Sequence, residues 1–294
     1  MQQNITRRIF IKKTLGALLT CIGIGSGGYF YARTIEPALL DIQTVQIRHP
    51  LIPASFDGVK MVQFSDTHLG FQYTLRQFAG LMQKINELKP DIVFFTGDLM
   101  DAPNRYKDLE KIAPVLAKLH ASLGKFCIYG NHDHGGYGSE LYKQIMEDAD
   151  FTLLLNESVI LEKKNSRIGI AGIDDAMLGR PDIRAATQHI PDHIFTLLLS
   201  HAPDLADAAS YYKIDWQLSG HSHGGQVKLP CFGALVTPPF ARKYLEGHYL
   251  LGQARKLHLY VNRGIGTTRL PFRFMAKPEL TVFTLQSLPQ GKAI

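Results

Sequence analysis

The sequence predicts an α/β domain that begins near residue 41, and three observations lead to it. Apolar runs at 60–64, 91–95, 125–129, 167–173, 195–199 and 215–218 have the length of buried strands. Between several of them the apolar residues recur at i, i+3 and i+4, as in the crossover helices of a parallel sheet. Five of the six runs end in a polar cluster, and in open α/β sheets ligands bind beyond the carboxyl ends of the strands.

Each element has its own signal. Leu75, Phe78, Ala79, Met82 and Ile85 form one helical stripe, which Pro90 ends. Leu109, Ile112, Leu116 and Leu119 form a second, which Pro114 is expected to kink or split. A third carries Leu141, Tyr142, Ile145 and Ala149, with Ser139 as its expected cap. After residue 225 the pattern changes to short strands and Gly/Pro turns, with strands at 256–261 and 280–285. No repeat or low-complexity segment interrupts the chain. We therefore read one domain over residues 41–287, its second half richer in strand.

Composition narrows the function classes. The 294 residues are 45% apolar and 20% charged, which excludes disorder, a collagen-like repeat and a polytopic membrane protein. The net charge of +6 would suit a nucleic-acid partner if it were spread along the chain. Instead residues 1–36 hold +4 of it, through Arg7, Arg8, Lys12, Lys13 and Arg33 against Glu36. The near-neutral body gives no nucleic-acid footprint.

Residues 1–36 read as a targeting or anchoring segment. Two arginines and two lysines precede a stretch, 14–32, with no charged residue, although five glycines make it less apolar than a typical spanning helix. Thr6-Arg7-Arg8-Ile9-Phe10-Ile11-Lys12 resembles the bacterial twin-arginine signal. That resemblance implies the twin-arginine export machinery as a partner and an extracytoplasmic domain, associated with the membrane or cell-wall surface. An uncleaved anchor and a removed signal both fit. With Cys21 in this segment, only Cys127 and Cys231 lie in the domain, and Cys127 reads as a buried thiol.

The chemistry sits in the five clusters: Ser65-Asp66-Thr67-His68, Thr96-Gly97-Asp98, Gly130-Asn131-His132-Asp133, Ser200-His201 and Ser219-Gly220-His221-Ser222-His223. Imidazoles, carboxylates and an amide oxygen suit a borderline divalent metal such as Mn, Fe or Zn. One ion needs three or four protein ligands, whereas Asp66, His68, Asp98, Asn131, His201, His221 and His223 suit two, with one ligand bridging. Gly97, Gly130 and Gly220 each precede a ligand, where a sharp turn would require glycine.

In this order, Asp-x-His, Gly-Asp, Gly-Asn-His-Asp, a lone His and Gly-His-x-His resemble the calcineurin-like metallophosphoesterase family. The Gly-His-Ser-His-Gly-Gly-Gln run and the Asn262-Arg263-Gly264-Ile265-Gly266-Thr267 stretch resemble its exported bacterial phosphodiesterase branch, called YkuE/YaeI-like. The resemblance implies a four-layer α/β/β/α sandwich behind the N-terminal signal or anchor. It implies that Asp66, His68 and His223 hold one metal, that Asn131, His201 and His221 hold the other, and that Asp98 bridges them. His132 matches the family's non-ligand histidine near the scissile phosphate, with Asp133 as its orienting or charge-balancing partner.

The implied reaction is hydrolysis of a phosphoester, a diester before a monoester, by a hydroxide bridging two metals. Many relatives carry an arginine soon after Gly-Asp, where this chain has Leu99-Met100-Asp101, so Arg263 becomes the candidate phosphate clamp. His134 and Tyr137 border the active loop and are expected to face substrate. Asp174 and Asp175 read as loop caps, and Thr237-Pro238-Pro239-Phe240 as a packed turn. His49, His120, His189, His193, His248 and His258 read as ordinary surface or core histidines. The alternatives are a UDP-2,3-diacylglucosamine pyrophosphatase of lipid A synthesis and a metal-binding envelope protein without turnover. An exported domain disfavours the first, and His132 the second.

Overall fold

The computed structural model describes residues 14, 15, 23, 25–135, 138–252 and 255–288. The expected twin-arginine motif, Cys21 and Tyr137 lie outside these residues. Among the described residues no helix is long and apolar enough to cross a membrane.

The strands are β1 (Asp41–His49), β2 (Lys60–Phe64), β3 (Ile92–Phe95), β4 (Lys125–Cys127), β5 (Thr152–Leu153), β6 (Glu157–Lys163), β7 (Ser166–Gly172), β8 (Thr196–Leu199), β9 (Trp216–Ser219), β10 (Lys228–Leu229), β11 (Gly233–Ala234), β12 (Gly247–Leu251), β13 (Leu257–Val261) and β14 (Glu279–Ser287). One sheet has the order β1-β14-β2-β3-β4-β5 and the other β12-β13-β9-β8-β7-β6, with β10 and β11 forming a separate hairpin. The strands that lead to the polar clusters, β2-β3-β4 and β8-β9, pair in parallel.

Strand alternation builds the layers, because successive side chains point to opposite faces. Met61, Ile92, Phe94, Leu197 and Leu199 meet between the two sheets. Their neighbours Val62, Phe64, Val93 and Phe95 pack outward against helices α1 (Leu75–Glu87), α2 (Leu109–Leu116) and α4 (Ser139–Asp148). Leu198, Leu257 and Leu259 pack outward against α5 (Ile183–Thr187) and α6 (Ala206–Ala209). The short α3 (Asn131–His134) belongs to the site. The result is helix, sheet, sheet, helix.

Local sequence explains most boundaries. Thr74 opens α1 with a capping box to Gln77. Pro114 does not split α2, since the helix runs through it and ends at Leu116. Ser139 is the first residue of α4 rather than its cap, and its Oγ pairs with His134 Nδ1 at 2.9 Å instead. Strands β1 and β6 gave no clear signal because both are sheet edges. Their half-exposed residues mix polar and apolar types without a buried run.

Candidate metal centre

All five clusters converge where the two sheets meet. Asp66 and His68 follow β2, Asp98 follows β3, and Asn131 and His132 open α3 after β4; His201 follows β8, and His221 and His223 follow β9. Asp66, His68 and His223 form one group whose ligand atoms lie within 4.8 Å of one another, and Asp98, His201 and His221 form a second. His68 Nε2 and His201 Nε2 stand 3.5 and 3.3 Å from the same oxygen, Asp98 Oδ2, so Asp98 lies between the groups. His223 Nε2 is 3.5 Å from Asp66 Oδ1.

The donor set fits metal ions. His201 Nδ1 donates to Thr96 O at 2.6 Å and His221 Nε2 donates to Pro239 O at 2.9 Å, which leaves Nε2 and Nδ1, respectively, as bare lone pairs facing inward. His201 Nε2 and Asn131 Oδ1 are buried with no hydrogen-bond partner, an expensive state unless a cation completes them. Burial above all pushes His221 down to about 4, so it stays neutral and able to coordinate. Without ions, burial opposes the charge of Asp98, but protonated His201 and His132 outweigh it and hold the carboxyl well below its usual range.

The turns that aim these ligands are strained. Asp66, His68, Asp98, His221 and His223 all have positive φ, between 43° and 68°, where non-glycine residues cost on the order of 1–3 kcal/mol each. Ladder-like bonds between neighbouring loops hold them there: Asp66 N to Gly97 O, His68 N to Asp98 O and Gly266 N to Asp66 O. Of the three glycines expected to turn the strand ends, only Gly97 does so, with φ of 97°. Gly130 and Gly220 are needed for space. A Cβ at Gly130 would lie 2.2 Å from Asp98 Oδ1, and one at Gly220 2.2 Å from Ser65 Oγ.

His132 Nδ1 donates to Asp101 O at 2.7 Å, leaving Nε2 for substrate. Burial works against its charge, yet Asp98 and the Asp101 carbonyl raise its pKa above the ordinary value. Asp133 does not orient the imidazole. Its carboxylate accepts the backbone N–H groups of Asp98, Leu99 and Gly130 at 2.8–2.9 Å and clamps those loops together. The residue that reaches both rings is Asp101, with Oδ1 3.3 Å from His68 Nδ1 and 3.9 Å from His132 Nδ1. Neither is an aligned hydrogen bond, so the contact is electrostatic.

Arg263 is not a phosphate clamp. Its Nε and Nη2 pair with Glu279 Oε2 and Asp41 Oδ2, both at 2.6 Å, and tie β14 to β1. Nor does His134 face the ligands: Asp174 Oδ1 accepts from its Nε2 at 2.7 Å, and its ring stacks on Tyr129. Asp174 and Asp175 cap the following loop, accepting from Arg180 N, Met177 N and Leu178 N. The 237–240 turn is not the packed turn expected, since Pro239 and Phe240 are exposed, although its Pro239 carbonyl accepts from His221 Nε2 and orients that ring. His248 and His258 stack on Trp216, outside the centre.

A cavity of about 300 Å³ opens onto Asp98, Asn131, His132, His221 and His223. Its remaining wall is largely apolar, with Met177, Val227, Leu235, Val236, Pro238 and Leu270, and Arg269 is its one Lys or Arg among the described residues. Sequence reading missed Arg269, Asp101 and Arg273. Arg273 is fully buried and donates to the carbonyls of Arg263, Gly264, Gly266 and Ala276, fixing the turn that presses on Asp66. The one signal for Asp101 was its spacing from Gly97-Asp98; for the two arginines there was none.

A family model described as calcineurin-like phosphoesterase matches residues 59–225, which carry every one of the expected ligands. The chain belongs to the calcineurin-like phosphoesterase family. It is 47% identical to "Uncharacterized metallophosphoesterase YkuE" of Bacillus subtilis, over 97% of this chain and 99% of that protein. Phosphodiesterase YaeI of Escherichia coli is 26% identical over 96% of this chain and 99% of its own length. UDP-2,3-diacylglucosamine pyrophosphatase LpxG of Chlamydia muridarum is 27% identical over 86% of this chain and 92% of its own. This calcineurin-like phosphoesterase is therefore a metal-dependent hydrolase.

Proposed function

We propose that the protein hydrolyses phosphodiesters at a centre of two divalent ions. The observation that carries this reading is Asp98, whose one carboxylate oxygen faces both ligand groups. Asp66, His68 and His223 would hold one ion and Asn131, His201 and His221 the other, with Mn, Fe or Zn matching the donor chemistry. Bound ions would supply Lewis-acid polarisation of the phosphoryl oxygens and an activated water. The protein's own residues do the rest. His132, charged to higher pH than an ordinary histidine, presents Nε2 as the proton donor to the departing alkoxide. Asp101 holds that ring and the His68 ring in place, and Arg269 supplies positive charge at the cavity edge.

The preference for diesters rests on the wide, partly apolar cavity and on the likeness to YaeI. The likeness to LpxG supports a second reading, cleavage of a phosphoanhydride in a nucleotide-linked lipid, which needs the same machinery. Export by the twin-arginine route, with the domain outside the cytoplasm and anchored or released, is proposed on the residue 6–12 motif alone. The test is hydrolysis of bis-p-nitrophenyl phosphate and p-nitrophenyl phosphate by full-length protein, stripped and reloaded with each metal. His132→Ala should lose roughly 10²–10⁴-fold in kcat while elemental analysis still finds two ions. A folded, two-ion wild type that turns over neither ester would instead fit the metal-binding alternative.

A further inference from the structure

The hairpin beside the metal cavity carries apolar side chains that no packing explains. Phe232, at its turn, is 84% exposed, and Val236 and Leu235 are 63% and 55% exposed. Single exposed apolar residues are ordinary, but a contiguous group at the mouth of a site marks a contact surface. These residues are contiguous with the cavity, because Leu235 and Val236 also line it. Leu270, which also lines the cavity, and Met275, further along the same strip, are 45% and 51% exposed.

The same rim meets the N-terminal segment. Lys228 N donates to Phe274 O and Phe274 N to Gln226 O, which joins the hairpin to the 270–275 strip. That strip carries the chain's entry into the domain: Tyr29 packs edge-on against Phe272, Tyr31 against Phe274, and Arg273 N donates to Ala32 O. Tyr29 and Phe30, themselves exposed, end the 14–32 stretch that holds no charged residue and follows a basic cluster. Three apolar features therefore share one side of the molecule: the end of the uncharged segment, the hairpin and the cavity wall.

We infer that this rim docks on a lipid surface and that the cavity takes phosphoesters bearing a hydrocarbon chain, the chain lying along Val227, Leu235, Val236 and Leu270. The substrate half of this inference rests on the phosphoesterase reading above. The occupant is a lipid surface because the uncharged segment, with basic residues before it, meets the rim at Tyr29. Arg269, exposed and in the lining of the same cavity, offers positive charge to an anionic phosphoryl group there.

The test uses two esters with the same leaving group, hexadecyl p-nitrophenyl phosphate in nonionic-detergent micelles and methyl p-nitrophenyl phosphate in solution. In both, water adds to phosphorus, the P–O bond to p-nitrophenolate breaks, and an alkyl phosphate remains. The full-length, metal-loaded protein should favour the hexadecyl ester by at least about tenfold in kcat/KM, since its chain makes contacts along the cavity wall that a methyl group cannot reach. Leu235→Asp, in the wall proposed to hold the chain, should remove that excess, and Phe232→Asp, outside the cavity lining, should leave the methyl ester rate unchanged. Equal wild-type rates on the two esters, or an unaltered preference in Leu235→Asp, would overturn the substrate half.

A second measurement does not need turnover. Cys231 sits exposed in the hairpin turn and Cys127 is buried, so a polarity-sensitive fluorophore on full-length Cys21→Ser protein reports the hairpin alone. With vesicles of equal parts phosphatidylcholine and phosphatidylglycerol, lipids brominated on their acyl chains should quench it. Protein bound to vesicles with the label unquenched would overturn docking, as would a dimer that buries the label without lipid. If neither ester is hydrolysed, the phosphoesterase reading fails and the quenching result alone decides the rim.

Discussion

Two arginines exchange the roles that residue type suggests. Arg263 lies in the motif-like Asn-Arg-Gly run, yet it is spent on the Glu279 carboxylate, 2% exposed, and on Asp41. Removing it strands a buried charge, so Arg263→Ala should cost roughly 3 kcal/mol in urea unfolding and leave KM for bis-p-nitrophenyl phosphate unchanged. Arg269 lies in no motif but lines the cavity. Arg269→Ala should raise KM severalfold with stability intact, and a variant pair showing the opposite pattern would reverse these assignments. Asp133 teaches the same lesson, since its place beside His132 in sequence suggests a dyad while its oxygens serve three backbone amides.

At the scale of elements, the His134–Asp174 pair joins the end of α3 to the loop that follows β7, and both groups are mostly buried. The hydrogen bond to Asp174 raises the pKa of His134. Burial opposes the Asp174 charge, but His134 and the Arg180 amide outweigh it and lower that pKa. A raised histidine pKa contributes stability that is full below the unfolded value and lost as pH rises through the folded one. A lowered carboxyl pKa contributes stability that is full above its unfolded value and lost as pH falls through the folded one. The pair should thus contribute most between about pH 4 and 6.5, by about 1–2 kcal/mol. Urea unfolding of His134→Gln against wild type should show the difference shrinking above that window; a constant difference would mean the pair acts through packing.

Across the whole molecule, the ligands come from both sheets: Asp66, His68, Asp98 and Asn131 from one, His201, His221 and His223 from the other. The sheets already share an apolar core and a buried link, Gln63 Nε2 to Thr96 Oγ1 and Ser219 O. Ions would add a further tie and relieve the unpartnered His201 Nε2 and Asn131 Oδ1. Chelation should therefore lower Tm by several degrees, and titrating Mn or Zn back should raise it with concentration, as binding to the folded state alone requires. A Tm indifferent to chelator would show that the fold forms the site without help from metal.

The buried strands, the polar clusters and seven candidate ligands were legible in the sequence, because buried parallel strands are uniformly apolar and their ends are where an α/β fold places its site. That signal is local: each run and its cluster lie within a few residues of each other, as Phe64 does to Asp66 or Leu218 to His221. Edge strands β1 and β6 were not legible, because half-exposed strands need no apolar pattern. Only the tertiary structure decided which cation is free, since Asp41 reaches Arg263 from 222 residues away and Glu279 from the strand that follows it. It also decided why Gly130 and Gly220 are glycine, through atoms of Asp98 and Ser65 that approach from other strands. The apolar rim was decided the same way. Burial is a property of neighbours, and the fold leaves Phe232 exposed while it brings Tyr29 against Phe272.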